Sequence, residues 1–316
     1  MPAIQVPNPK GGALRRFHVS ADERYLAWGL EAIEAGQPGK WLLQDLRTAK
    51  LTDLANLLDL PPAQAKAASV EAFAPTGSLL LVKYYAPPEN EQARRKAVYV
   101  VVNPETGKSR EVHRDVEAHA LWVGSMVAAQ SQDLKLEVPQ VKLVAPLDGK
   151  SEMLPLYGMI ECSSADGGVF QAIADPDSPG TGVEWQAFRE KARPVLMNRQ
   201  GKVLKVFDRQ MQHFQISPNG KWAAGWARTP DGPVTRLVEI DSGKETTFDG
   251  KQSPFRLCDD GALLTHGGTP GLNCLRAGRA MEAVVKGAGP CCVAGARIYY
   301  VSDEDSSKVL RREVPK

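Results

Sequence analysis

A hairpin signature recurs along this chain, and no other feature of the sequence restricts its fold as tightly. The clearest copy spans residues 214–226, where the alternating run Phe214-Gln215-Ile216 meets a Ser217-Pro218-Asn219-Gly220 turn and a second apolar run ends at Trp226. Alternation on both sides of a Pro-Asn-Gly reversal is the pattern of two antiparallel strands. Residues 17–28 and 72–81 match it position by position, residues 162–170 and 255–264 more loosely, and residues 120–128 and 292–300 in outline.

A second hairpin series runs in phase with the first. Its turns are Asn103-Pro104-Glu105-Thr106-Gly107-Lys108, Asp148-Gly149-Lys150, residues 198–202, Asp241-Ser242-Gly243 and Ala277-Gly278-Arg279, with Asp45-Leu46-Arg47-Thr48-Ala49-Lys50 as the variant lacking glycine. Two hairpins make a four-stranded unit, and seven units of ~45 residues account for about 315 residues of a 316-residue chain. A four-stranded sheet cannot bury both faces alone, and radial packing of such sheets buries them against their neighbours. The expectation is an all-β fold, a single β-propeller domain over residues 1–316 with seven four-stranded blades, or six as the fallback count. Residues 3–6, a short strand preceding the first unit, are expected to complete the last blade.

The turn Ser217-Pro218-Asn219-Gly220-Lys221 and its copies resemble the S-P-D-G-K signature of the TolB-like bacterial propeller repeats, relatives of WD repeats in architecture. The resemblance runs over nearly the whole chain and is close in two or three copies. It implies a propeller and, as in most such relatives, a non-enzymatic interaction role. The Trp-Asp and Gly-His pairs of true WD repeats are absent at the corresponding strand ends.

Connection lengths are unequal. If the strands of each unit are termed A to D from the channel outward, the A–B and C–D turns are tight and share one rim. The B–C and D–A connections on the other rim include residues 29–40, 54–69, 86–97, 131–140 and 174–193. Long loops cost ordering entropy and are often functional, so this rim is the expected binding surface. Residues 175–191 begin with turn formers and end in a segment able to form a short helix, with Trp185, Phe188 and Arg189 on one side of it. Trp and Arg are enriched in binding hot spots; the competing reading is that Trp185 and Phe188 pin the loop to the sheets. Arg94 and Arg95 lie in a mixed charge run, Glu89 to Lys96, that reads mainly as a solvated loop and secondarily as an anion site. Residues 53–62 read as a short apolar-faced helix stopped by Pro61 and Pro62.

Thirty-nine basic against thirty-seven acidic residues give a formal charge of +2, too little to steer nucleic acid. No apolar run is long enough for a membrane span and no leader pattern opens the chain, so the expected compartment is the cytoplasm, or the periplasm if a leader has been removed. Five cysteines, none spaced by two residues, read as buried thiols. His18, His113, His119, His213 and His266 could converge at one end of the channel, but no metal, phosphate-loop or nucleophile-elbow motif accompanies them. The expectations are therefore no catalytic residue, no metal and no cofactor. The expected function is a non-enzymatic scaffold that binds a partner protein or peptide through the loop-rich face, compatible with membership of a larger complex. The alternative is an enzyme or small-ligand binder with its site at the mouth of the central channel.

Overall fold

The structure is a computed structural model that describes residues 4–6, 14–30, 40–88, 90, 92–116, 118–131, 138–249, 253–267, 269–286, 291–294, 297–301 and 308–314. Its strands form antiparallel sheets of the all-β propeller fold. After β1 (Ile4–Gln5) come β2 to β5 (Leu14–Val19, Tyr25–Leu30, Lys40–Asp45, Leu51–Asp53) and β6 to β9 (Ser69–Phe73, Leu80–Tyr85, Lys96–Val102, Ser109–Val116), each set one four-stranded sheet. Next are β10 to β16 (Ala118–Val123, Met126–Ser131, Gln140–Val144, Ser151–Ser163, Val169–Ala174, Arg193–Asn198, Val203–Val206), which make a single seven-stranded sheet. Two more four-stranded sheets follow: β17 to β20 (Met211–Ile216, Trp222–Thr229, Gly232–Glu239, Glu245–Asp249) and β21 to β24 (Ser253–Leu257, Leu263–Gly267, Thr269–Leu275, Glu282–Lys286). The last sheet joins β25 to β27 (Cys291–Ala294, Arg297–Val301, Lys308–Glu313) to β1, with Ile4 opposite Val309 and Gln5 opposite Lys308.

Five four-stranded blades stand as separate sheets where seven, or six as the fallback, were expected. The cause is β13, which runs unbroken for 13 residues. Its first part pairs with β12 as far as Tyr157, and from Gly158 onward it pairs with β14. The chain crosses from one partner to the other through Gly158, at φ +150°.

The tight turns explain why the hairpin signature repeats. Ser20, Ser164 and Ser217 are fully buried, and each hydroxyl donates to the side chain two residues on: Asp22 at 2.5 Å, Asp166 at 2.6 Å and Asn219 at 2.8 Å. The same oxygens accept from the backbone N–H of Tyr25, Val169 and Trp222 at 2.9–3.0 Å. Each serine thus satisfies polar groups that would otherwise be stranded under the turn. Four copies complete the reversal with a left-handed glycine, at Gly77, Gly167, Gly220 and Gly261, where Glu23 takes the same conformation in the first copy.

The chain divides into two compact units, residues 1–118 with 287–316, and residues 119–286. In the first unit, Tyr25, Leu43, Phe73, Leu80 and Val98 form one core with Leu54, Leu58, Ala65 and Ala68 of the connection between β5 and β6. That connection holds a 3₁₀ turn, Leu54–Leu57, and α1 (Pro62–Lys66). Pro62 does not stop a helix here but opens one, where its missing N–H has no helical partner to lose. A second core gathers Val6, Phe17, Trp28, Tyr299 and Val309. In the second unit, one core draws on both partners of β13, from Leu143 and Leu154 to Phe170 and Val195. Another holds Leu196, Phe207, Phe214 and Val238.

The long connections fall where B–C and D–A links were expected: β3 to β4, β5 to β6, β7 to β8, β11 to β12 and β14 to β15. Residues 31–39 and 132–137 of these, with Glu89, Glu91, Ala3, Gly268 and residues 295–296, lie outside the described residues. Among the described residues, no helix is long and apolar enough to cross a membrane.

Candidate functional site

The first strand of five hairpins carries a recurrent irregularity. The pairs β2–β3, β6–β7, β13–β14, β17–β18 and β21–β22 all contain one extra residue on the first strand. Such a bulge bends the strand and re-aims the side chain of the unpaired residue. In β13 that residue is Glu161, skipped between Ile160, opposite Ala172, and Cys162, opposite Gln171. Glu71 occupies the same position in β6, between Val70 and Ala72. In β17 the bulge lies between Gln212 and Gln215 and throws His213 into the left-handed region at φ +55°. Left-handed backbone in a residue with a Cβ costs about 1 kcal/mol and is found preferentially at ligand sites.

These bulges gather four polar or aromatic side chains in the second unit. Glu161 and His213 are exposed, and the His213 ring lies 6.0 Å from the ring of the partly buried Trp226. Behind them is the Gln171 amide, fully buried, whose Nε2 and Oε1 complete no hydrogen bond of full geometry. Partial burial pushes the Glu161 carboxyl above its ordinary range, opposed by the facing Gln171 amide and by His213. Gln130 holds the strand from the other side: its Oε1 accepts from Ile160 N at 2.6 Å and its Nε2 donates to Ile160 O at 3.0 Å, with His119 Nδ1 3.4 Å away. The carboxylate therefore projects from a backbone clamped one residue before it. Adjacent Cys162 is held as a thiol, its pKa pushed up to about 12 by burial, so it is no nucleophile.

The sequence-derived binding residues fall elsewhere. α2 spans Trp185–Lys191; Phe188 is buried, Trp185 stacks on it at 5.5 Å and Arg189 is exposed. The rest of that insertion is fastened to the sheet, with Tyr157 N donating to Pro179 O at 2.7 Å and Val138 N to Val183 O at 3.2 Å. Phe188 thus anchors the loop, while Trp185 and Arg189 retain accessible surface. Arg94 and Arg95 are exposed just before β8 and belong to the other unit. Of the histidines, His119 and His213 lie in the second unit and His18 and His113 in the first; the side chain of His266 is outside the described residues. Among the described residues, no three His, Cys, Asp or Glu side chains are placed to hold a metal ion. Glu161, Gln171 and Trp226 were not found from sequence. The available signal is a lone carboxylate inside an apolar strand, Ile160-Glu161-Cys162, repeated as Val70-Glu71-Ala72.

What the sheets define is the propeller class of all-β proteins. No protein-family profile matches the chain, and neither does any curated protein. Among solved structures the likeness is to acylaminoacyl peptidase of Pyrococcus horikoshii, in an orthorhombic crystal form, at a TM-score of 0.60 and 14% identity over 89% of this chain and 47% of that one. The uncomplexed enzyme gives 0.60 and 13% over 86% and 45%. An acylaminoacyl peptidase in complex with Z-Gly-Gly-Phe-chloromethyl ketone gives 0.58 and 13% over 85% and 44%. The chain spans about half the length of the solved structures it resembles, and at this identity the likeness establishes the fold alone. The expected non-enzymatic scaffold is corrected on this finding, since the three structures named are of acylaminoacyl peptidases. A propeller carries no function by itself, so the interaction role implied by the repeat resemblance rested on likeness of fold.

Proposed function

We propose that this propeller has a peptidase-related function and handles peptide substrate at the Glu161, His213 and Trp226 cluster for a peptide-hydrolysing unit. The observation that carries the reading is the likeness to acylaminoacyl peptidases over 89% of this chain and about half of theirs. The cluster supports it chemically, because an exposed carboxylate, an imidazole and an indole face together offer the acceptors and the apolar surface that an extended peptide needs. Trp226 provides the readout. Titration of the full chain with short peptides should change its tryptophan fluorescence saturably, and Trp226→Phe should abolish the change. If no peptide of any composition binds, the reading is wrong.

The finer account of the fold belongs to the same proposal. Since β13 serves β12 with its first half and β14 with its second, the seven-stranded sheet reads as two blades sharing one strand, which with the five separate blades makes seven.

A further inference from the structure

Glu161 has an unusual electrostatic position for an exposed carboxylate. The influences that shift its titration are burial, Gln171 and His213, with no arginine or lysine among them, and among the described residues no ion pair includes it. Most acidic side chains that a protein partly desolvates are given a cationic partner, because the burial penalty is otherwise uncompensated. Here the strand is bulged to aim the carboxylate outward, and Gln130 fixes that geometry through both polar atoms of Ile160. Behind it the fully buried Gln171 amide is turned toward Glu161. An ionised carboxylate attracts the Nε2–H side of that amide, which leaves Oε1 as an open acceptor, and buried acceptors are rarely left unsatisfied without cause. His213 contributes a ring on the same side, braced against Trp226, and the partly exposed indole presents a face on which a cation is favoured.

We infer that this cluster is a subsite for an organic cation, the guanidinium or ammonium group of a peptide, with Glu161 as counter-charge, Trp226 as the aromatic wall and Gln171 as the acceptor behind. The inference rests on the peptide-handling reading and specifies its substrate class. Two sources could present this group, a basic side chain or a free amino terminus, and the experiment separates them.

Calorimetric titration of the full chain would use four tripeptide amides: N-acetyl-Gly-Gly-Arg, N-acetyl-Gly-Gly-Gln, unblocked Gly-Gly-Gln and N-acetyl-Gly-Gly-Glu. The arginine peptide, the unblocked peptide or both should bind about tenfold more tightly than the blocked glutamine peptide, with the glutamate peptide weakest. Which cationic peptide gains identifies the source. Glu161→Gln, which keeps the shape and removes the charge, should erase the preference, and added salt should diminish it in the unaltered protein. His213→Asn, a substitution suited to the left-handed backbone, is a second variant and should reduce the preference only in part. Equal binding of all four peptides overturns the inference and leaves the peptide reading standing, as does a preference that survives Glu161→Gln. Binding by none overturns both.

Discussion

Two residues with side chains occupy left-handed positions that other copies of the repeat give to glycine, and they should respond to glycine in opposite directions. Ala49, at φ +57°, takes the place held by Gly107, Gly149 and Gly243 at φ +68° to +72°. Its side chain is exposed, and the turn around it is held by Asp45, which accepts from Arg47 N at 2.8 Å and Thr48 N at 3.2 Å. Ala49→Gly removes about 1 kcal/mol of left-handed strain, less roughly 0.5 kcal/mol for the freedom that glycine gains in the unfolded chain. Stability should therefore rise by a few tenths of a kcal/mol to about 1. Glu23, at φ +55°, holds the place of Gly77 and Gly220 and would gain as much from relief of strain. But its carboxylate accepts from the Tyr299 hydroxyl at 2.7 Å and pairs with Arg297. The Tyr299 residue is 1% exposed, and burial, aided by Glu23, pushes its pKa up to about 12. Glu23→Gly leaves that phenol without its acceptor, a loss of ~1.5–3 kcal/mol that exceeds the strain relieved. The net expectation is destabilisation by about 1–2 kcal/mol, so the two variants should move the urea midpoint to opposite sides of the parent. In a Tyr299→Phe background the glycine at 23 should become close to neutral or favourable. If Glu23→Gly stabilises as much as Ala49→Gly, the reasoning that places function of the side chain above backbone strain is refuted.

Two further outcomes are expected. Gly158→Ala should destabilise by more than ~3 kcal/mol or prevent folding, since its Cβ would lie 2.1 Å from the Ile173 carbonyl oxygen, whereas Gly77→Ala, also left-handed but facing open space, should cost only about 1 kcal/mol; equal melting temperatures would argue against a close strand crossing at 158. His18, which lies 5.9 Å from Trp41, has its pKa lowered to about 4 by burial and secondarily by Arg16, so the fold favours the neutral ring. Its contribution is complete above the unfolded value near 6.5 and is lost as pH falls toward 4. The full shift corresponds to ~3 kcal/mol, reduced to about 1–2 because the ring is partly exposed. Urea midpoints between pH 8 and 4 should accordingly fall less steeply for His18→Gln than for the parent, and parallel curves would contradict this.

The hairpins were legible because their information is local. Ser217, Asn219 and Gly220 each have a fixed task within one turn, so the pattern survives at Ser20 and Ser164 and can be read from a few residues. Even Glu23 and Ala49 fit, as left-handed residues in the right places without the expected side chain. The merger of two sheets through β13 was not legible, because Gly158 resembles any strand glycine until its second partner is known. The same limit hid the cluster around Glu161. Whether Glu161 lies in the plane of its strand or is thrown out of it depends on which residue of β14 it fails to pair with, a contact some ten residues away that alternation does not encode. Residues 185–191 show the reverse case: the helix was foreseeable from local composition, yet the burial of Phe188 depends on the sheet beneath it.

The continuity of β13 has a consequence for how this protein comes apart. Sheets that are joined only by a loop can open one at a time, but the ladder that residues 151–157 make with β12 and the ladder that residues 158–163 make with β14 adjoin on one continuous strand, so the opening of one should loosen the other. Slow-exchanging amides on both sides of Gly158 should then report a single opening event, and a new chain terminus would be tolerated between β16 and β17 but not within residues 151–163.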